Sequence, residues 1–221
     1  MLLAVSGMVG TGKTTLARAL ARYFGFAAAL ENTGDDNPWL GLFYGDSDGT
    51  RRYALPLQLH FLARRMESMR RIRAEGGDWI IDRTWYEDAE VFARGLYERA
   101  LLSPLEYDLY QRLYAELTHA PAARPPRLMI YLHGPLEDVV GRIATRARSE
   151  ERSVPYGYWA GLHDRYRRWI QGFHFCKVLA LDFRHFDLVG DPAAITRVAE
   201  LVAAALGTEL ERTGVQFRLR V

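Results

Sequence analysis

The sequence predicts an α/β fold, in which helices cover both faces of a doubly wound, five-stranded parallel sheet. Short apolar runs of strand length alternate along the chain with longer segments of helical periodicity. A glycine-rich loop follows the first apolar run and leads into the first helical segment. Polar residues stand at the carboxyl ends of several runs, which is where folds of this type bind their ligands.

Five apolar runs are predicted to be buried parallel strands, because each is short and lacks the alternation of a half-exposed strand. They are Leu2–Ser6, Ala27–Glu31, Trp79–Asp82, Leu128–Leu132 and Val178–Asp182. The segments between them predict helices that cross from one strand to the next in the right-handed sense. The predicted helices span residues 13–24, 51–75, 86–101, 104–118, 135–148, 156–173 and 192–206.

The loop after the first strand fits the pattern G-x-x-x-x-G-K-[ST] without a mismatch. In this pattern backbone N–H groups surround phosphate oxygens, Lys13 reaches the outer phosphates and the Thr14 hydroxyl is placed to ligate Mg²⁺. The following helix presents its N-terminus to the anion. We therefore predict a P-loop NTPase-type fold that binds ATP or another nucleoside triphosphate. The predicted phosphate-binding residues are Gly7, Met8, Val9, Gly10, Thr11, Gly12, Lys13, Thr14 and Thr15.

Composition fits one domain over residues 1–206 and narrows the range of partners. The formal net charge of the 221-residue chain is +2, so neither a nucleic-acid partner nor a membrane surface is expected. The single cysteine, Cys176, cannot form an intrachain disulfide or a cysteine-based metal site, and a cytoplasmic location is expected. Residues 207–221 end in alternating apolar and polar residues, which fits either an added edge strand or a mobile tail.

Asp82 and Arg83 end the third predicted strand, next to the phosphate loop. A carboxylate at this position can hold Mg²⁺ together with Thr14, and an arginine can bridge a phosphoryl group in transfer. A buried ion pair that tethers a loop would give the same dipeptide. Its place after the third strand of a P-loop protein favours the functional interpretation.

Three arginines follow the fourth strand on a predicted helix. Arg142 and Arg146 are four residues apart and share one helix face, and Arg148 comes two residues later. Most charge runs are solvated surfaces. In a chain with a phosphate loop, however, they predict a helical lid over about residues 142–155 that closes on the phosphates and excludes water.

Several motifs together resemble the deoxynucleoside kinases, and the bacterial deoxyadenosine and deoxyguanosine kinases most of all. The segment Asp82–Asp88 (D-R-T-W-Y-E-D), followed by Ala89–Ala93, is similar to the family's D-R-S-x-Y-x-D…F-A segment. Thr84 replaces the usual Ser, and the residues after Glu31 depart from the family pattern. The resemblance covers roughly residues 2–206. Four other segments agree in family order: Glu31 with Asn37–Leu40 and Phe43–Tyr44, Leu57–Arg65, Arg142–Glu151, and Tyr158–Trp169.

The resemblance implies ATP-dependent transfer of the γ-phosphoryl group to the 5′-hydroxyl of a deoxynucleoside, in nucleotide salvage. Deoxyadenosine and deoxyguanosine are the implied acceptors, and deoxycytidine is also compatible. Glu31 would be the catalytic base, Arg83 would orient Glu31 and contact the phosphoryl group, and Lys13 would stabilise the developing charge. A homodimer is implied, formed through the helices after the second and third strands.

The resemblance also implies how the acceptor is held. Tyr44 and Glu151 would bind the sugar 3′-hydroxyl. Gln58 would contact the edge of the base through its amide, and Arg65 and Asp88 would complete the base pocket. Arg64 competes with Arg65 for this role because the two residues are adjacent.

Two alternatives stay open from the sequence. A nucleoside monophosphate kinase of the thymidylate kinase type shares the phosphate loop, the Asp-Arg pair and the arginine-rich lid. It would need further arginines for the phosphate of its acceptor. A non-catalytic, ATP-binding regulatory module would bind the nucleotide without making a phosphorylated nucleoside.

Overall fold

Five parallel strands form the central sheet of the computed structural model. The structure describes residues 1–31, 37–45, 47–121, 123–148, 151, 154–191, 193–213 and 216–219. The strand order is β2-β3-β1-β4-β5, as the doubly wound fold predicts. The strands are β1 Leu2–Gly7, β2 Ala27–Ala29, β3 Trp79–Asp82, β4 Leu128–His133 and β5 Lys177–Asp182.

Ten α-helices lie within the described residues, with a π-helical turn at Asp88–Ala93 and a 3₁₀ turn at Phe183–His185. No helix within these ranges is long and apolar enough to cross a membrane. The helices are α1 Lys13–Phe24, α2 Pro38–Gly45, α3 Ser47–Arg52, α4 Ala54–Glu75, α5 Trp85–Glu87, α6 Arg94–Glu98, α7 Pro104–His119, α8 Leu136–Arg146, α9 Tyr156–Gly172 and α10 Ala194–Leu206.

Helices cover both faces of the sheet, because successive strand residues point to opposite sides. On one face Leu3 and Val5 of β1 pack in a core with apolar residues of α1 and α10. On the other face Ala4 of β1 packs with α4 and α7. A third core joins Met8 of the loop to α8 and α9. The phosphate loop is therefore supported from the side of the lid as well as from the sheet.

The predicted helix over residues 51–75 is interrupted at Tyr53, where α3 ends and α4 begins. Pro56 is the physical reason, because a proline ring in a helix interior clashes with the carbonyl four residues earlier. In the first turn of α4 the proline is tolerated. The helix predicted over residues 86–101 begins at Trp85 and includes the π-helical turn, and α2 was not predicted.

The described residues of the C-terminal segment form a sheet separate from the main one. Leu210–Thr213 and Gln216–Leu219 pair as an antiparallel hairpin, which is a separate two-stranded sheet. Leu219 is buried in the core beside α1 and α10. The sequence leaves an added edge strand and a mobile tail open; the described residues pair as a hairpin of their own, whose second strand contacts α1.

Candidate active site

The phosphate loop connects β1 to α1 and has left-handed backbone at three glycines. The φ angles are +140° at Gly7, +86° at Gly10 and +93° at Gly12, a region that side chains rarely allow. A Cβ on Gly10 would lie 2.7 Å from Ile143 Cγ1 of α8. The buried Lys13 ammonium donates to the carbonyl of Met8 at 2.9 Å. The loop is thus folded around its lysine, with α8 packed against it.

Thr14 and Asp82 meet where β1 and β3 end side by side. Thr14 Oγ1 donates to Asp82 Oδ2 at 2.5 Å, and the other carboxylate oxygen, Oδ1, is buried without a hydrogen-bond partner among the described residues. Nowhere in that part of the chain do three or more His, Cys, Asp or Glu side chains form a metal site. A hydroxyl and an unpartnered carboxylate oxygen fit Mg²⁺ that takes its other ligands from phosphates and water.

Glu31 follows β2 and accepts one arginine on each oxygen. Arg65 Nη2 donates to Oε1 at 2.7 Å, and Arg83 Nε donates to Oε2 at 3.1 Å. Arg65 also donates from Nε to Asp88 Oδ2 at 2.8 Å. The structure therefore brings together four of the residues that the resemblance implies for catalysis and base binding.

Burial and charge pairing together set the ionisation of this cluster. Burial alone would raise the pKa of Glu31, but Arg83 and Arg65 outweigh it and lower the pKa to about 2. Burial is the main cause of the lowered pKa of Lys13, about 8, with a further contribution from Arg83. Burial raises the pKa of Asp88 against the opposing effect of Arg65. Glu31 is thus an anion throughout the physiological pH range.

Arg64 and Arg65 differ in burial and in the partners of their side chains. The Arg65 guanidinium is buried against Asp88 and Glu31. Arg64 has a half-exposed side chain and pairs with Glu67 at 3.0 Å. Arg65 is therefore the residue that faces the site.

A large pocket of about 1130 Å³, counting its open mouth, adjoins the Glu31 cluster. Its lining combines apolar and aromatic side chains with a few charged and polar ones, as ligand-binding pockets do. In the part of the chain that the structure describes, Gln58 Oε1 is buried and has no hydrogen-bond partner. Tyr44 OH lies 3.3 Å from Tyr158 OH at the same pocket. Among its lining residues are Val9, Lys13, Thr14, Glu31, Leu40, Phe43, Tyr44, Gln58, Phe61, Arg83, Asp88, Phe92, Arg146, Arg148, Glu151 and Trp159.

The lid arginines take different positions. Arg146 Nη2 donates to both oxygens of Glu151, at 2.5 and 2.7 Å. Its side chain borders the large pocket and also a second pocket beyond the phosphate loop. Arg148 lines the large pocket, 4.0 Å from Glu151. Arg142 lines only this second pocket, where its guanidinium lies 4.0 Å above the ring of Phe183. Residues 149–150 and 152–153 of the predicted lid, and the departures at residues 32–36, lie outside the described residues.

The second pocket lies on the other side of the phosphate loop. Gly12 and Thr15 line it from the loop, and Phe183, Asp187 and Val189 line it from the segment after β5. The sequence interpretation assigned no role to these last three residues. Their position after the fifth strand, where ligands bind, is the signal that could have identified them.

Glu87 and Tyr166 are two further buried residues of the site without an assigned role. Tyr166 OH donates to Glu87 Oε1 at 2.9 Å, and Arg83 Nη1 lies 3.3 Å from the same oxygen. Arg83 Nη1 also donates to Tyr166 OH. Both residues belong to the segments that resemble the family, but 79 positions separate them in the chain.

Comparison with known proteins identifies the relatives of this chain. The model of the deoxynucleoside kinase family matches residues 3–206. The deoxyadenosine/deoxycytidine kinase of Bacillus subtilis is 36% identical over 205 residues, which are 93% of each chain. The deoxyguanosine kinase of Lactobacillus acidophilus is 29% identical over 196 residues, 86% of this chain and 83% of the relative.

A solved structure shares the fold. The deoxyadenosine kinase of M. mycoides with bound dATP superposes with a TM-score of 0.77 at 22% identity, covering 91% of this chain and 99% of the other. The family match also decides against the two alternatives, a monophosphate kinase and a non-catalytic module. The chain belongs to the deoxynucleoside kinase family and is an enzyme of that kind.

Proposed function

We propose that this enzyme transfers the γ-phosphoryl group of ATP to the 5′-hydroxyl of deoxyadenosine or deoxyguanosine, with deoxycytidine as a further acceptor. The observation that carries the proposal is the pocket that Gln58, Asp88 and Glu31 line together, with Arg65 bound to both carboxylates. The B. subtilis and L. acidophilus relatives act on deoxyadenosine or deoxycytidine and on deoxyguanosine. These acceptors match the arginine and aspartate in the base pocket.

Base recognition would rest on a side chain that lacks a partner. Gln58 Oε1 is buried without a hydrogen bond among the described residues, and an amide can accept and donate along one edge of a base. A site that leaves such a group unpaired discriminates against ligands that do not satisfy it. Arg65 and Asp88 would bind further along the same edge. The Tyr44 hydroxyl and the Glu151 carboxylate would hold the sugar 3′-hydroxyl.

In the reaction the 5′-oxygen bonds to the γ-phosphorus as the bond to the β-phosphate oxygen breaks. ADP leaves, and the hydroxyl proton goes to Glu31. Glu31 would accept a hydrogen bond from the hydroxyl and orient it for attack. Arg83, Lys13 and Arg146 would spread the charge of the transferring group, which phosphoryl transfer requires more than a strong base.

The donor would lie across the phosphate loop and the second pocket. The loop residues Gly7–Thr15 would bind its phosphates, with Arg142 and Arg148 contributing from the lid. The flat contact between Arg142 and Phe183 offers a surface for the base of the triphosphate. Mg²⁺ would be held by Thr14 and Asp82, where it would neutralise phosphate charge and align the oxygens.

We also propose that the protein is a homodimer that works in the cytoplasm, where its small-molecule substrates are. Leu105, Leu109 and Leu113 recur every four residues on the outer face of α7 and are exposed, as is Met66 of the adjacent α4. An apolar stripe of this kind on two packed helices fits a second copy of the same surface. Nucleic acid and membrane are not proposed as partners.

Initial rates with Mg²⁺ and ATP test the proposed function. Deoxyadenosine, deoxyguanosine, deoxycytidine and thymidine are compared as acceptors, with deoxyadenosine monophosphate as a fifth. We expect the purine deoxynucleosides to have the highest kcat/KM and the monophosphate to be inactive. The proposal is wrong if thymidine or the monophosphate is the best acceptor.

Glu31→Gln tests the chemistry within the same assay. Because the amide cannot take the proton, we expect kcat to fall roughly 100- to 10,000-fold, whereas KM for the acceptor changes little. Glu67→Gln, on the exposed face of α4, is the control and should keep wild-type rates. Near-normal turnover of Glu31→Gln would remove Glu31 from its proposed role.

A further inference from the structure

Arg83 is held in an unusual backbone conformation next to the reacting groups. Its φ angle is +73°, in the left-handed region that a residue with a side chain rarely adopts. Its backbone N–H donates to the carbonyl of Val5 at 2.8 Å, which fixes it to the end of β1. Such strain persists only where the surroundings impose it, and it concentrates at functional positions. The contacts of the side chain show what imposes it here.

The guanidinium of Arg83 contacts three polar side chains and one ring. Nε donates to Glu31 at 3.1 Å, whereas Nη1 donates to Glu87 Oε1 at 3.3 Å and to Tyr166 OH. The ring of Phe92 lies 4.8 Å from the guanidinium carbon. Arg83 therefore binds Glu31 through Nε, whereas its Nη1 is held by Glu87 and Tyr166.

Glu87 and Tyr166 form a unit behind Arg83. Glu87 is fully buried, and each of its carboxylate oxygens has a different partner. Oε2 accepts a hydrogen bond from the backbone N–H of Thr84 at 2.9 Å, and Oε1 accepts one from the Tyr166 hydroxyl at 2.9 Å. A buried carboxylate is stable only if its oxygens are paired. Tyr166 comes from α9, so the unit also joins α5, which follows the third strand, to the helix that follows the lid.

The contacts of Arg83 with Glu87 and Tyr166 affect how Arg83 can bind Glu31. An arginine beside a carboxylate favours the forked contact, in which two N–H groups bind the two oxygens. That contact would turn the second N–H group of Arg83 away from the phosphoryl group and would compete with Arg65 for Oε1 of Glu31. We propose that Glu87 and Tyr166 are positioning residues that hold Arg83 in its single hydrogen bond to Glu31, so that both groups stay available to the substrates. This inference rests on the role proposed above for Arg83.

Tyr166→Phe separates positioning from structural support. Glu87 also caps α5, so a change there would affect folding. The phenylalanine keeps the ring that packs against Tyr131 and Trp169 and removes only the hydroxyl. We expect kcat for deoxyadenosine phosphorylation to fall by about tenfold or more, because small misplacements of catalytic groups are that costly. KM for both substrates should stay within about twofold of wild type, and Tm should change little.

Tyr131→Phe is the matched control, because it removes a hydroxyl from the same aromatic cluster without a direct contact to Arg83. It should keep the wild-type kcat. Arg83→Lys and the double variant Arg83→Lys/Tyr166→Phe complete a cycle. If Tyr166 acts through Arg83, the second substitution adds no further loss once the guanidinium is gone.

Three results would overturn the inference. The first is a Tyr166→Phe enzyme with wild-type kcat, whether or not its Tm is lower. The second is a full additional loss in the double variant, since Tyr166 would then act on another group. Full turnover by Arg83→Lys would overturn the proposed role of Arg83 and this inference with it, and that single variant tells the two failures apart.

Discussion

Glu31 shows how the site balances charge at the level of one residue. Each of its oxygens accepts one arginine, and this pairing holds its pKa near 2 despite burial. Such a carboxylate is a weak base. In a loose phosphoryl-transfer transition state the hydroxyl keeps most of its proton until the bond has formed, so orientation contributes more than basicity. The arginines thus favour a permanently charged acceptor of the hydroxyl hydrogen bond.

Lys13 carries the pH dependence of donor binding. Its pKa is lowered to about 8, so in the free protein the ammonium is present below that pH and is lost above it. The phosphates of ATP bind the charged ammonium of Lys13. Above pH 8, ATP binding must therefore be coupled to the uptake of a proton by Lys13. We expect the Kd for ATP to rise by up to about tenfold per pH unit above pH 8. Calorimetric titration with ATP at a series of pH values measures this.

Lys13→Met is the control for that titration. It removes the charge at every pH, so its affinity should be weak and should not fall further above pH 8. A wild-type Kd that stays flat through this range would show that the ammonium is not needed in its charged form.

At the scale of elements, the phosphate loop and α8 depend on each other. Gly10 lies at φ +86°, and a Cβ there would approach Ile143 of α8 to 2.7 Å. The loop can therefore adopt its phosphate-binding form only if α8 packs without a gap and without a side chain between them. This packing also places Arg142, next to Ile143, and Arg146, at the end of the same helix, beside the loop.

Gly10→Ala tests this dependence. We expect ATP binding to weaken by about tenfold or more, since roughly 1.4 kcal/mol of strain is enough for that factor. Tm should fall as well. Gly141→Ala on α8 is the matched control: its added Cβ meets nothing within 4 Å, and alanine in a helix gains about 0.5–1 kcal/mol. Unchanged ATP affinity in Gly10→Ala would contradict the close packing.

At the scale of the whole molecule, an exposed apolar stripe runs along the outer face of α7. Leu105 of α7 is 83% exposed, and Leu109 and Leu113 continue the same stripe. Residues of this kind stay accessible in a stable protein chiefly where a partner buries them. Because the stripe lies on the outer helices and away from both pockets, pairing through it leaves two independent sites.

Leu109→Glu/Leu113→Glu should convert the proposed dimer to a monomer, because each copy would bring two negative charges into the apolar interface. Sedimentation velocity measures the mass in solution. Val189→Glu, at the most exposed apolar residue of the structure, is the control and should leave the mass unchanged. A wild-type monomer, or a double variant of undiminished mass, would contradict the proposed interface.

Local patterns explain how much of the fold the sequence could predict. The loop Gly7–Thr15 and the strand Trp79–Asp82 were predicted with their bounds close to those observed, because each is identified by adjacent residues. The helix α2 was missed, since Pro38–Gly45 is apolar on most sides and has no amphipathic period. The break at Tyr53 follows from Pro56, because a proline is compatible with the first turn of a helix but not with its interior.

The sequence predicts those site residues that lie in contiguous motifs or in segments that resemble the deoxynucleoside kinases. The resemblance brought Arg65 and Asp88 together, and the structure pairs them at 2.8 Å. Tyr166 meets Glu87 across 79 positions, and no local pattern carries information about such a contact. The stacking of Arg142 on Phe183 was missed for the same reason, since it depends on how β4 and β5 lie next to each other.

The central place of β1 in the sheet divides the enzyme into halves that can be altered separately. Glu31, Gln58 and Asp88 come from the side of β2 and β3, whereas Arg142 and Phe183 come from the side of β4 and β5. The loop after β1 borders both pockets, as does Arg146 at the end of α8. An engineer could therefore exchange α4 to accept another nucleoside analogue, for instance a prodrug, and keep the donor half as it is.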